Sequence, residues 1–120
     1  MDSVMRLHLQ YRLWIAAMNA DISVLRIFDD YILWLETKKS NADAITQIDD
    51  YKKQFLSLRT ELDELRHEMH IAKMKLAAFS KKHSEPIENI KNIIRHKECK
   101  ERYKTFRRKF SKIKKEFKKY

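Results

Sequence analysis

Apolar residues recur along the first third of the chain at the spacing of an α-helix. Alternating steps of four and three residues from Leu7 to Leu35 pass through eight apolar positions and one polar position, Asp21. A second apolar series with the same spacing runs beside the first, from Leu13 to Trp34. The combined face is broader than the seam of a two-stranded coiled coil. It predicts a first helix over about residues 3–38 with neighbours on two sides.

The middle of the chain carries the most regular pattern. Apolar residues follow one another by steps of three and four from Ile48 to Phe79 without a polar interruption, and charged residues occupy the positions between them. Ser40 and Asn41 precede this series, and both residue types are common helix N-caps. We therefore predict a second helix over about residues 42–82 after a short turn.

The last third predicts a helix with a change of register. Pro86 suits the first turn of a helix over about residues 86–120. At helical pitch, however, Ile90 and Ile94 fall on the face opposite the aromatic series that begins at Tyr103. Charged residues dominate the segment between them, so we expect the third helix to be kinked or split near residues 95–101. A single straight helix is the alternative.

Together these patterns predict an all-α fold in one domain spanning residues 1–120. The absence of glycine and the single proline favour long helices joined by short turns. Short turns make neighbouring helices antiparallel, which gives an up-down-up bundle of three long helices, a rod roughly 50–60 Å long. Matching levels across the first turn places Arg59 beside Asp21, and we expect it to compensate the carboxylate.

Several functional classes find no support in the sequence. The absence of glycine excludes a P-loop or a dinucleotide-binding fingerprint. The Glu64 and His67 pair is one copy of a motif that di-iron bundles use twice. Level matching brings His8, His70, His96 and Cys99 to one end of the rod, but their spacing matches no zinc signature. We expect no cofactor, no metal, no small-molecule substrate and no enzymatic activity.

The same residues bear on the cellular compartment. Arg12, Asp21 and Arg26 interrupt the first apolar segment, which argues against a signal sequence or a membrane span. Cys99 is the single cysteine and has no intramolecular partner for a disulfide. We therefore expect a cytoplasmic protein.

Charge is concentrated at one end of the chain. The formal net charge is +10, and residues 97–120 alone contribute +9. Residues 29–50 carry a net −4, and the predicted topology would place them beside this basic end, so part of the charge should be neutralised internally. The cations that we expect to meet a polyanion such as nucleic acid are Lys104, Arg107, Arg108, Lys112 and Lys115.

The excess apolar surface of the first helix points to a different function. A slender three-helix rod has too little interior to bury all of this face. We expect Leu9, Leu13, Tyr31 and Trp34 to form a homodimer or partner surface, which makes the protein a non-enzymatic interaction or scaffold protein. Sequence-nonspecific binding of nucleic acid through the basic third helix is the alternative.

Overall fold

The fold is an all-α bundle of three long helices. A computed structural model describes residues 4–38, 41–82 and 86–120, and the side chains of residues 79–88 are outside that description. The helices are α1 (Val4–Lys38), α2 (Ala42–Lys82) and α3 (Pro86–Lys118), as the sequence predicts. Ser40, a predicted N-cap, lies outside the described residues, and the side chain of Phe79, the last of the predicted apolar series of α2, is not described.

The start of α2 shows the predicted capping chemistry. The side-chain Oδ1 of Asn41 accepts a hydrogen bond from the backbone N–H of Ala44 at 2.7 Å. The Asn41 carbonyl accepts the N–H of Ile45 at 3.1 Å, the first bond of the helical ladder. Asn41 is therefore the N-cap residue, and its side chain satisfies a backbone donor that the helix itself leaves unpaired.

The three helices form a rod of 63 × 18 × 17 Å with an up-down-up topology. α2 packs closely against both neighbours, whereas the backbones of α1 and α3 are farther apart. Side chains bridge that wider gap, since Asp21 on α1 bonds Tyr103 on α3 and Phe28 contacts Phe117. These contacts place α1 and α3 side by side and parallel.

The core runs the length of the rod and is built from one stripe of each helix. The first series of α1 is buried from Leu7 to Leu35, with the exception of Trp14, which is only half-buried. Ile15 and Ile22, which are not members of the series, are buried as well. Phe117 closes one end, with its ring centroid 4.8 Å from that of Phe55. Burying one such aromatic or aliphatic side chain stabilises the fold by about 1.5–3 kcal/mol. The α2 and α3 members are Ile48, Phe55, Leu58, Leu62, Leu65, Met69, Ala72, Leu76, Cys99, Tyr103, Phe106, Phe110 and Phe117.

The sequence predicts a kink or a split in the third helix. The split is wrong, because α3 is one unbroken helix through residues 95–101, and the kink stays a prediction. The expected change of register does not occur, because the first half of α3 turns a face other than that of Ile90 and Ile94 towards the core. Asn92, His96 and Cys99 are buried and continue the Tyr103 series backwards, while Ile90 and Ile94 are 55 % and 51 % exposed. The helix therefore keeps its backbone hydrogen bonds and leaves two isoleucines in solvent.

Candidate interaction surfaces

One face of α1 exposes a line of apolar side chains. We call Leu9, Leu13, Ile27, Tyr31 and Trp34 the α1 stripe; their spacing places them on one side of the helix, away from the core series. Leu13 is 59 % exposed and Trp34 is 52 % exposed, and the other three lie between 40 % and 63 %. The stripe thus includes the four residues predicted to form a partner surface, Leu9, Leu13, Tyr31 and Trp34, and all four are exposed.

Two aromatic residues anchor the far end of the α1 stripe. The rings of Tyr31 and Trp34 stack with centroids 5.7 Å apart, and Tyr31 meets the edge of Phe117 at 5.8 Å. The Nζ of Lys38 lies 5.9 Å from the centroid of the Trp34 ring. Contact with the core through Phe117 holds Tyr31 in place, so this part of the stripe is a preformed surface.

The five predicted polyanion-binding residues all lie exposed on α3. Among the described residues, the ion pairs of α3 use other cations: Arg102 pairs with Glu68, and Lys109 with Glu61, both acids on α2. Glu36, from the acidic segment expected beside α3, pairs with Lys52 on α2 at 3.3 Å. The described ion pairs therefore leave the outer cations of α3 facing solvent.

A groove between α1 and α3 brings parts of the two predicted surfaces together. It has a volume of about 530 Å³, and its lining combines Leu13 of the α1 stripe with three of the predicted cations, Lys104, Arg107 and Arg108. The remaining predicted residues, Leu9, Tyr31, Trp34, Lys112 and Lys115, lie outside it. Sequence reasoning missed the other lining residues, which are Trp14, Ala17, Lys100 and Tyr103. The spacing of Lys100, Lys104 and Arg107, four and then three residues apart, could have shown that Lys100 shares a face of α3 with the two predicted cations.

A buried polar contact lies beside this groove. The Tyr103 hydroxyl donates to Oδ2 of Asp21 at 3.0 Å, and Arg107 Nη1 donates to the same hydroxyl at 3.3 Å. Asp21 is only 8 % exposed, and its burial raises the pKa of the carboxyl group despite the opposing effects of Tyr103, Arg107 and Lys114. Burial and the adjacent Asp21 raise the pKa of Tyr103 to about 12, so the phenol remains a donor at neutral pH.

The predicted partnership of Arg59 with Asp21 is wrong. Arg59 Nε instead donates to Asp63, four residues along its own helix, at 3.2 Å. The level matching across the first turn is offset, since Arg66 bonds Asn19 at 2.8 Å and places a later part of α2 beside Asp21. The α3 helix supplies the compensating groups that the prediction sought on α2.

A second buried cluster surrounds Cys99, about one helical turn from Tyr103 on α3. The His96 ring lies 5.1 Å from that of Tyr11 and 4.8 Å from that of Trp14, between centroids. Burial raises the pKa of Cys99, although its hydrogen bond with Tyr11 acts in the opposite direction. A raised thiol pKa keeps the sulfur protonated and weakly nucleophilic at neutral pH.

The described part of the chain holds neither a cluster of potential metal ligands nor a helix that could span a membrane. Its His, Cys, Asp and Glu side chains form no group of three or more that could hold a metal ion. Nor is any helix there long and apolar enough to cross a membrane. Comparisons with protein-family models, curated proteins and solved structures found no match for this chain.

Proposed function

We propose that this is a small non-enzymatic interaction protein that docks a helix of a protein partner onto α1. The observation that carries the proposal is the α1 stripe, whose five large apolar side chains lie exposed on a helix with its opposite face already committed to the core. An apolar line of this kind is the usual surface for helix-in-groove recognition.

The shape of this face suits a helix. The α1 stripe spans 26 residues from Leu9 to Trp34, and the distance between its two ends is about 38 Å along the helix axis. Ala16 and Ala20 lie exposed in its middle portion, between the larger side chains at either end. Small residues allow a second helix to approach closely, and the larger residues then pack on each side of that approach.

Site-specific photocrosslinking in cells that produce the protein tests this proposal. A photoreactive phenylalanine analogue replaces Leu13 or Trp34, and Met74 on α2, which is 64 % exposed, is the matched control. We expect discrete protein adducts from both α1 positions and none from position 74. Equal labelling from all three positions, or no adducts at all, would contradict docking on α1.

The basic outer face of α3 favours a second candidate function, binding of nucleic-acid phosphates. Lys104, Arg107, Arg108, Lys112 and Lys115 are exposed, and the described ion pairs between α2 and α3 use other cations of α3. Such binding would be sequence-nonspecific and would weaken steeply with salt. Replacing all five by Gln should abolish binding to duplex DNA and single-stranded RNA at low salt; unchanged affinity would rule the function out.

A further inference from the structure

We propose that the partner helix is acidic and amphipathic and that it lies in the groove between α1 and α3, which turns the three-helix rod into a four-helix bundle. This inference rests on the proposed function and names the chemistry of the partner. It follows from the apolar floor of the groove, the sign of the charge on its rim and the contrast with the groove on the other side of α1.

The floor of the groove is apolar and only partly accessible, since Leu13 is exposed, Trp14 and Ala17 are half-buried and Tyr103 is buried. Leu13, Trp14 and Ala17 come from α1, and the Tyr103 ring comes from α3. The backbones of these two helices stand farther apart than those of the other helix pairs, and Leu13 is 59 % exposed. A fourth helix with an apolar stripe would cover this floor in the manner of bundle packing.

The rim of the groove is uniformly positive. Its four charged residues are Lys100, Lys104, Arg107 and Arg108, and the described lining includes no carboxylate. The spacing of four and three residues from Lys100 to Arg107 passes next through one uncharged residue, Ser111, and then reaches Lys114 and Lys118. Cations in a row beside an apolar seam are placed to pair with acids on a neighbouring helix, as the charged residues that flank the seam of a coiled coil do.

The groove between α1 and α2 lacks this selectivity. It has a volume of about 400 Å³, and carboxylates and cations both line it. Glu36 and Lys52 form an ion pair across it at 3.3 Å, so part of its charge is already neutralised. Charge complementarity therefore assigns an acidic helix to the α1–α3 side.

A second copy of the chain is a poor occupant of the α1–α3 groove. Each copy carries a net charge of +10, of which residues 97–120 hold +9. Bringing two such molecules together along α1 would place like charges close to one another, which opposes association. A helix with Asp or Glu beside its apolar stripe replaces that repulsion by attraction.

Two synthetic 28-residue helical peptides test the proposal on the full chain. Both carry Leu at the a and d heptad positions; the acidic peptide has Glu at e and g, and the basic peptide has Lys there. Fluorescence anisotropy measures binding at 50 mM and 300 mM NaCl. At 50 mM NaCl we expect the acidic peptide to bind about tenfold more tightly than the basic peptide. At 300 mM NaCl the ratio of the two affinities should be smaller, because salt screens the charges.

Matched variants locate the binding site. The double variant Lys100→Gln/Lys104→Gln removes two rim cations and should weaken the acidic peptide by about threefold to tenfold. The control Lys53→Gln/Lys75→Gln removes the same charge from exposed positions on α2 and should change affinity less than about twofold. Leu13→Gln should weaken the same peptide by about tenfold or more, whereas Met74→Gln should have no effect.

Three results would overturn the inference. If the two peptides bind equally and only Leu13→Gln matters, a helix docks on α1 without charge selection, and the proposed function stands without the acidic partner. If neither peptide binds at about 100 µM, the groove takes no helix, while crosslinking from Leu13 still decides the proposed function. If DNA or RNA binds more tightly than the acidic peptide, and the rim variant weakens binding of the nucleic acid alone, the rim binds nucleic acid and not an acidic helix.

Discussion

Asp21, Tyr103 and Arg107 show how one buried carboxylate is accommodated between two helices. The Tyr103 hydroxyl donates to Asp21 and accepts from Arg107, so a guanidinium stands two hydrogen bonds away from the carboxylate. Tyrosine supplies a neutral donor inside the packed region, and the cation remains exposed at the groove. The arrangement joins α1 to α3 at a level where their backbones do not touch closely.

Tyr103→Phe should destabilise the fold by about 1.5–3 kcal/mol, because it removes a hydrogen bond to a charged group and leaves the Asp21 carboxylate buried. Urea denaturation at pH 7 measures the loss. The control is the same substitution in an Asp21→Asn background, where no buried charge remains and the loss should shrink to about 1 kcal/mol or less. An equal loss in both backgrounds would mean that the hydroxyl acts independently of Asp21.

Acid should narrow the stability difference between Asp21→Asn and the native chain. Burial raises the pKa of Asp21 above its ordinary value of 3.8, so the folded state binds a proton at a higher pH than the unfolded state does. The contribution of Asp21 to stability is therefore most favourable below pH 3.8 and declines as the pH rises through the folded-state pKa.

Denaturation of both proteins at pH 7, 6, 5 and 4 tests this. We expect Asp21→Asn to be the more stable protein at pH 7, because it removes a buried charge. Its advantage should decrease steadily towards pH 4. An advantage that grows on acidification would show that attraction to Arg107 and Lys114 outweighs burial of the carboxylate.

At the scale of the helices, apolar periodicity predicted where each helix begins and ends, but it did not predict which face of the first half of α3 points inward. The bounds of all three helices and the buried series of α2 follow from apolar spacing and from punctuation at Asn41 and Pro86. The inward face of the first half of α3 does not, because Ile90 and Ile94 are more apolar than Asn92 and His96. The aromatic series from Tyr103 onwards sets the rotation of the helix, and the first half follows as part of the same rigid element.

The balance of free energies accounts for this outcome. A break in a helix leaves up to four N–H and four C=O groups without intrahelical partners. Exposing two isoleucines forfeits about 1.5–3 kcal/mol each, and the buried Cys99 and Tyr103 offset part of that loss. Single-sequence patterns give no measure of this competition, because it depends on the side chains that α1 and α2 present to α3.

Ile90→Ala and Ile94→Ala should each change the free energy of unfolding by no more than about 0.5 kcal/mol, since both side chains are more than half exposed. Ile32→Ala, the same substitution at a residue that is 2 % exposed, should cost about 2–5 kcal/mol. Thermal or urea denaturation compares the three variants. Losses at positions 90 and 94 as large as that at Ile32 would mean that α3 turns these residues towards the core.

For the whole molecule, the sequence identified two surfaces but not their adjacency. The sequence shows the apolar excess of α1 and the cations of α3 as two separate patterns, and both sets of residues are exposed in the structure. Whether they meet depends on which side of the α1–α2 pair receives α3. Placing α3 on either side of that pair satisfies the same periodicities, so apolar spacing alone does not select between the two arrangements. The groove that combines Leu13 with Lys104 could therefore be found only from the fold.

The concentration of charge on one helix predicts how salt affects the whole molecule. Residues 97–120 carry +9, and their mutual repulsion opposes the folded state more than the expanded unfolded state. Salt also screens the ion pairs of Arg102 and Lys109 with α2, but exposed pairs of this kind contribute only about 0–1 kcal/mol each. Screening of the repulsion should dominate, so the Tm should rise between 10 mM and 300 mM NaCl.

A gain of about 1 kcal/mol corresponds to roughly 3–6 °C for a domain of this size, which calorimetry or circular dichroism resolves. Lys104→Gln/Lys112→Gln/Lys115→Gln should raise the Tm at 10 mM NaCl and flatten its dependence on salt, because it removes three of the repelling charges and no described ion pair. Glu61→Gln/Glu68→Gln is the opposite control and should steepen the dependence, since it adds two net positive charges beside α3. A Tm that falls with salt in the native chain would mean that the α2–α3 ion pairs outweigh the repulsion along α3.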